Sequence, residues 1–467
     1  MKKTIKLAVV AALALGTTSA FATNGDQMMA LGAKSTGMGG VGIATAFGAE
    51  SALANPALVR GNEVTFGGTI FMPSVAFKGE VTVPQPNGAQ FQDSDADLSV
   101  IPSVAFSHDI NEQWSWGLGM FGTAGMGVDY RDDTAIYMDP ATGVPSPSGS
   151  QNMYMGTMNG TNQLSTALQI MKFTMPIAYR PMSGLSLGIA PVIQYGALGM
   201  SYNNGAFTQG VQRDAAGAPT GAMNYHNTRT GAGTSDDLGF GYEVAVAYTT
   251  SGLTIGAIYK SAIDMEYKNQ ISEATANFGL QGYGDNLEQP AEMGVGISYT
   301  FSGNTIAIDY KNIAWSSAKG YEDFKWADQD VIAIGYEYKA KSWAFRLGYN
   351  YANNPVEEQK GAAGFDATGQ IGNYEGAVLN YFNLAGFPAV VESHMTVGGT
   401  YNFSDTIGVD MAYVYSPEVS LSYDTSAMSQ GQYFNGDSTA TPATPFKSTA
   451  NVIHSQSAFT VAVTMAF

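Results

Sequence analysis

The stretch Phe459-Thr460-Val461-Ala462-Val463-Thr464-Met465-Ala466-Phe467 decides the fold. Phe459, Val461, Val463, Met465 and Phe467 share one parity, while Thr460, Ala462, Thr464 and Ala466 share the other. A period of two with large apolar groups on one side and small ones on the other is the dyad pattern of a strand. One face meets lipid and the other a crowded interior. Reading back from this end, the same alternation recurs as pairs of segments joined in turn by very short links and long polar ones. The template is met about fourteen times, at roughly 63 to 78, 98 to 109, 114 to 129, 167 to 181, 185 to 202, 238 to 250, 252 to 269, 290 to 301, 304 to 317, 329 to 340, 342 to 354, 394 to 403, 406 to 422 and 456 to 467.

Short turns fall at Asn111 to Gln113, Met182 to Gly184, Ser251, Ser302 to Gly303, Ala340 to Lys341 and Ser404 to Asp405. In bacterial barrels such turns face the periplasm and the long loops face outside. Trp114, Trp116, Trp315, Trp326 and Trp343 lie near strand ends, where amphipathic rings favour the lipid–water interface. The expected class is therefore all-β: a 14-stranded antiparallel transmembrane β-barrel spanning residues 63 to 467. A secreted sandwich would not carry so many hairpins in one sheet.

Composition agrees. Charged residues are 13% of the chain, against about 25% in ordinary soluble domains. Lys2, Lys3 and Lys6 precede the apolar run Leu7 to Leu15 and the small-residue site Ala20-Phe21-Ala22, the layout of a secretory signal over residues 1 to 22. Losing its three lysines takes the formal charge from −18 to −21, which disfavours nucleic acid as a partner. Beyond the signal no stretch approaches the 18 or so apolar residues of a membrane helix, so any membrane crossing must be a closed barrel. The absence of cysteine excludes disulfides and thiolate chemistry.

Residues 23 to 62 do not alternate and are rich in Gly, Ala and Ser. With both chain ends on the periplasmic side, the economical place for them is inside the bore, shielded from lipid. Here the sequence resembles the FadL family of outer-membrane transporters for long-chain fatty acids and other hydrophobic compounds. The resemblance rests on Asn24-Gly25, on Lys34-Ser35-Thr36-Gly37-Met38-Gly39-Gly40 and on Asn55-Pro56-Ala57 just before the first strand. Strand rhythm and the terminal Phe467, the usual signal for the barrel assembly machinery, extend it over the whole chain.

The resemblance implies passive outer-membrane transport of hydrophobic small molecules, with the amino-terminal segment as a hatch plugging the barrel. Cargo would be caught at outer loops, held against the hatch, and released sideways into the membrane through a gap at a kinked third strand. Asn55, Pro56 and Ala57 would then position and gate rather than do chemistry. The third strand carries glycine at positions Gly117, Gly119, Gly122, Gly125 and Gly127, and glycine marks bends, bulges or close approach. The same glycines would also serve merely to make room for the hatch.

Parity places Lys172, Arg180, Glu243, Lys260, Asp264, Glu292, Asp309, Lys311, Glu337, Arg346 and Asp410 inward. In a hairpin turning at Ala340 and Lys341, Gly335 would face Arg346, with Glu337 diagonal to it. Such charges most often pair with one another or with the plug. The sharper expectation is that Lys311 or Arg346 contacts a substrate carboxylate. Among the outer loops, residues 355 to 393 carry Tyr381, Phe382 and Phe387 within an apolar cluster, a candidate capture patch at the rim, with a lid of packed loops as the alternative. Leu164, Leu168 and Met171 have helical spacing and would cap the same mouth.

Other motifs fall short. Gly37, Gly39 and Gly42 fit a dinucleotide pattern, but no strand precedes them. Asp93, Asp95 and Asp97 open like a calcium loop, yet Leu98 and Val104 stand where Gly and Glu are needed. His108, His226, His394 and His454 have no local serine or aspartate partner that would make a hydrolase. A water-filled diffusion porin has no use for a forty-residue plug. The reading is a monomer in outer-membrane lipid, with no cofactor, no metal and no enzymatic activity.

Overall fold

The computed structural model describes residues 23–83, 87–138, 145–146, 153–203, 211–213, 219–223, 229–361, 372–433 and 447–467. Fourteen wall strands follow in chain order: β1 (Glu63–Val83), β2 (Ser99–Asp109), β3 (Trp114–Asp129), β4 (Ser165–Thr174 continued by Ile177–Met182), β5 (Leu185–Asn203), β6 (Arg229–Thr250) and β7 (Leu253–Lys260) make the first half. β8 (Glu292–Phe301), β9 (Asn304–Ile313), β10 (Gln329–Lys339), β11 (Trp343–Ala352), β12 (Ser393–Asn402), β13 (Ile407–Asp424) and β14 (Lys447–Ala466) make the second. Each strand pairs antiparallel with the next, and β14 returns to β1 with Ala466 opposite Glu63 and Thr460 opposite Thr69. Closure leaves no edge for lipid to meet, the condition under which strands can cross a bilayer.

The outer face is apolar because alternation makes it so. Ile306 and Ile308 of β9 and Ile332 and Ile334 of β10 stand exposed, while Ala307, Asp309, Val331 and Ala333 between them are buried. The turns on the opposite end from the long loops are as tight as hairpins allow. Thr250 pairs with Leu253 and Phe301 with Asn304, and both residues of each link have positive φ (Ser251 48°, Gly252 85°; Ser302 47°, Gly303 82°). That is the type I′ geometry matching the twist of the flanking strands. Pro176 interrupts β4 without moving its register, and its carbonyl accepts from Gly117 N.

Several sequence expectations are corrected. The turn after β10 closes through Ala340 N to Trp343 O, two residues longer than expected, so Arg346 faces Glu337 directly and Gly335 faces Gly348. The run from Leu164 to Met171 is not a helical cap: from Ser165 it is strand β4, with Leu168 opposite Leu198 of β5. β7 ends at Lys260, and Asp264 lies beyond it on the exterior, paired with Lys319. Trp315 and Trp326 are buried in the loops, whereas Trp114 and Trp343 are exposed near the short turns as expected. β6 and β14 each begin about nine residues earlier than the alternation marks.

Residues 23–62 fill the bore. They form a short hairpin in which Thr23 pairs with Met28 and Asn24 with Gln27, then helix α1 (Ala33–Gly37) and two 3-10 turns, Gly48–Leu53 and Pro56–Leu58. Hydrogen bonds fasten this plug to inward-facing wall residues on many sides. Ser115 of β3 donates to Val59 O (2.6 Å), Ser298 of β8 to Ala44 O (2.7 Å) and Asn350 of β11 to Gly39 O (3.0 Å). Wall glycines permit the contact: a Cβ at Gly348 would lie 2.0 Å from Gly39 N, and one at Gly188 would lie 2.2 Å from Ala57 N. The wall and plug were thus shaped for each other at backbone distance.

Candidate functional site

A cavity partly open to solvent lies between the plug and strands β3 to β10. Its plug side is apolar, built from Met28, Met29, Leu31, Ile43 and Leu53. Its wall side gathers three ammonium groups: Lys172 of β4, Lys260 of β7 and Lys311 of β9. Lys172 Nζ is 3.4 Å from Glu243, while Lys260 and Lys311 share Glu292 at 2.8 and 3.5 Å. Asp309 turns instead to the plug, where its Oδ2 accepts from Gly42 N (2.7 Å) and Ile43 N (2.8 Å). Charges held largely out of bulk water survive because each has a partner.

Of the two cations singled out from sequence, the structure brings only Lys311 to this cavity. Arg346 is 3% exposed and bound to Glu337 (2.7 Å), Thr400 (2.8 Å) and Asp410 (3.6 Å) beneath α1, with Lys34 of the plug 3.7 Å from the same Asp410. Arg346 thus stands within an ion network away from the cavity. Lys172 and Lys260 are what the sequence reading missed as site residues. Parity placed them inward, but only the register across six strands puts them at one height.

Asn55, Pro56 and Ala57 sit just beyond the lining residues Leu53 and Ala54. Asn55 is wholly buried and its side chain is used twice, donating to Ile43 O (2.6 Å) and accepting from Ala57 N (2.8 Å). It caps the Pro56–Leu58 turn and holds the Ile43 strip against the cavity.

The third strand is irregular where its glycines cluster. Its pairing with β2 stops at Phe121 opposite Ser103, and a bulge at Thr123 offsets its register with β4 between Gly122 and Ala124. At Ala124 and Gly125 the edge facing β2 is met by the plug hairpin instead, and Asp95 N rejoins the strand at the Asp129 carbonyl. Gln27 pairs with Ala124, and Gly125 N donates to Asp26 O (2.9 Å). The glycines divide the work: Gly117 and Gly119 face Val59 and Leu53 of the plug, and Gly122 lies against Ile101 of β2. Outside, below this irregularity, an apolar groove runs over Val104, Leu118, Met120, Phe173, Met175 and Ile193.

The hairpin tip is held from the loops. Asp26 is fully enclosed, its Oδ2 accepting from the Tyr321 hydroxyl and from Gln289 Nε2 (2.9 Å), while Oδ1 has no partner among the described residues. Burial pushes this carboxyl up to about 6, against the pull of its two hydrogen bonds.

The expected rim patch is also corrected. Tyr381, Phe382 and Phe387 are 2%, 0% and 4% exposed, so these three offer no apolar surface at the rim. Helix α2 (Tyr374–Ala385) carries the first two into a loop core: Phe382 meets Phe278 edge-on at 4.7 Å, and Phe387 meets Phe324 at 6.0 Å. Trp315, Tyr321 and Trp326 continue this core at ring distances of 4.6 to 5.2 Å. The outer loops pack on one another as a lid over the bore.

A closed, lipid-faced, plugged barrel with a cavity against its plug defines an outer-membrane channel for small molecules. A family model described as "Outer membrane protein transport protein (OMPP1/FadL/TodX)" matches residues 13–142 and 137–364. The chain belongs to this family, and it is an outer-membrane transport protein rather than an enzyme. It is 26% identical over 373 residues to a long-chain fatty acid transport protein of Escherichia coli O6:H1 (strain CFT073), covering 68% of this chain and 76% of that one. Among solved structures, a Pseudomonas aeruginosa FadL homologue is similar with a TM-score of 0.64 at 14% identity, covering 95% of this chain and 100% of its own. The Pseudomonas putida toluene transporter TodX gives a TM-score of 0.58 at 16% identity, with 95% and 100% covered.

Proposed function

We propose that this protein carries amphipathic monocarboxylates with long apolar tails passively across the outer membrane. The carrying observation is the cavity itself, in which three lysines converge opposite a strip of methionine, leucine and isoleucine. Such a site offers a head-group contact through charge-assisted hydrogen bonds and a tail contact through burial. A cargo carboxylate would compete with Glu292, which two lysines already share, and so would free one cation for itself. Entry is from the lid side. Exit is sideways, past Thr123 where β2 and β3 part, onto the apolar outer groove and into lipid. The glycines of β3 and the motif Asn55-Pro56-Ala57 serve this route by shaping the gap and fixing the Ile43 strip.

A second reading, an uncharged aromatic or aliphatic hydrocarbon as cargo, is favoured by the fact that Lys172, Lys260 and Lys311 each already have a carboxylate partner. Binding of a long-chain carboxylate and of its methyl ester to wild type and Lys311→Met separates the two. A carboxylate preference of about tenfold that disappears in the variant supports the first reading; equal binding throughout refutes it. The sideways route has its own test, since the chain has no cysteine of its own. Gln27→Cys with Ala124→Cys, opposite each other in the hairpin–β3 pairing, would staple the hairpin over the gap. Uptake should stop on oxidation and resume on reduction, and uptake that continues through the stapled form rules the route out.

A further inference from the structure

The first residue of the plug ends in a pocket of β14 and β12. Thr23 is 5% exposed, and its backbone nitrogen donates to Gln456 Oε1 at 3.2 Å. Gln456 is flanked by two histidines: His394 Nε2 lies 3.3 Å from Oε1, and His454 Nε2 lies 3.2 Å from Nε2. Proton positions follow from the far end of this chain. His454 Nδ1 is 2.8 Å from the Pro388 carbonyl, which can only accept, so Nδ1 carries the hydrogen and His454 Nε2 is an acceptor. Gln456 must then turn its NH₂ to His454 and its oxygen to Thr23. That oxygen only accepts, so His394 donates through Nε2 and its Nδ1 is left as a bare acceptor.

His394 Nδ1 and both polar atoms of the Asn24 side chain, Oδ1 and Nδ2, are buried and have no hydrogen-bond partner among the described residues. An acceptor left without a donor in such a place is costly, and His394 Nδ1 is one donor short. A backbone amide at Thr23 has one hydrogen to give. A primary amine at the same atom has two or three.

We infer that this pocket is a binding site for the chain's own new terminus, the α-amino group that signal cleavage after Ala22 would create at Thr23. The inference rests on that cleavage position as well as on the geometry. The amine keeps its contact with Gln456 and has hydrogens to spare for buried acceptors such as His394 Nδ1. Its seat anchors the hairpin whose next residues, Asp26 and Gln27, cover the edge of β3. Maturation of the precursor is then the step that strengthens the plug's seat, since the amide at this position has one hydrogen where the amine has two or three.

The test uses protein purified from outer membranes in detergent. Intact mass fixes the first residue, and an amine-acylating ester is applied near neutral pH, where α-amines are far less protonated than lysines. In the folded barrel the Thr23 amine should react at least about tenfold more slowly than after heat unfolding. Gln456→Leu, or an alanine inserted ahead of Thr23, should bring the folded rate up to the unfolded one. Gln456→Glu, which keeps an acceptor facing Thr23, should preserve the protection and so controls for folding. A mature protein that starts at Thr23 yet acylates equally fast folded and unfolded overturns the docking site. A start at another residue overturns the inference through its processing step, and the mass tells the two failures apart.

Discussion

Replacing Asp26 by asparagine should abolish a pH dependence of the plug's seating. Its carboxyl is fully enclosed, and its value rises from 3.8 to about 6. Two units at about 1.4 kcal/mol each come to roughly 3 kcal/mol of difference between the seated hairpin and one released to water. The seated value is the higher one, so the seat binds the proton more tightly than the released form does. That stabilisation is fully present below the released value of 3.8 and is lost as pH rises through about 6. The buried Tyr321 and Tyr267 hydroxyls, which burial pushes up, stay protonated throughout and contribute no slope. Roughly 3 kcal/mol corresponds to about a hundredfold change in the fraction of unseated hairpins.

Single-channel recording in planar bilayers reads that fraction as brief openings. Wild type should open more often at about pH 8 than at about pH 4, with the change centred near 6, and Asp26→Asn should be quiet and flat across this range. Asparagine keeps an oxygen for Tyr321 and Gln289 while carrying no charge. Openings that increase toward acid, or an asparagine variant as pH-sensitive as wild type, would refute the reasoning.

Arg346→Leu removes the cation between Glu337 and Asp410, and should cost about 3–5 kcal/mol, seen as a lower temperature for the gel-mobility shift of the folded barrel. Gly348→Val puts a side chain where the backbone of Gly39 lies 2.0 Å away, so the plug must move while the wall remains. Steady ion current should appear in bilayers, and an unchanged, silent trace would place the plug elsewhere. Phe382→Ala hollows the loop core at a cost of about 3–5 kcal/mol, expected as faster proteolysis within residues 353–392 while the strands stay protected.

How much of this was legible in the sequence follows from what lipid demands. Where strands cross the bilayer, every outward residue must be apolar, so Ile306, Ile308, Ile332 and Ile334 announce both strand and face. Above the bilayer the demand lapses. β14 continues upward through Ser448, Thr449 and Asn451, still paired with β1, with no alternation to reveal it. Registers between neighbouring strands were open to a slip of two residues, as at Ala340, because both registers preserve parity. The cavity lay further out of reach. Lys311 was legible as an inward cation, but its companions Lys172 and Lys260 belong to strands whose relative heights are set by the shear of the closed wall. The loop aromatics misled for a related reason: composition tells that Tyr381 and Phe382 need cover, and only the fold tells that other loops provide it.

The hydrogen bond from Thr23 to Gln456 joins positions 433 residues apart. The first part of the mature chain to leave the export machinery therefore has its resting place on the last strand to be made. During biogenesis the amino-terminal forty residues must wait, unpacked, until β14 has met β1 and the cylinder is sealed around them. Connectivity thus sets one constraint on the order of events: the stopper cannot take its final seat before the last stave of the wall is in place.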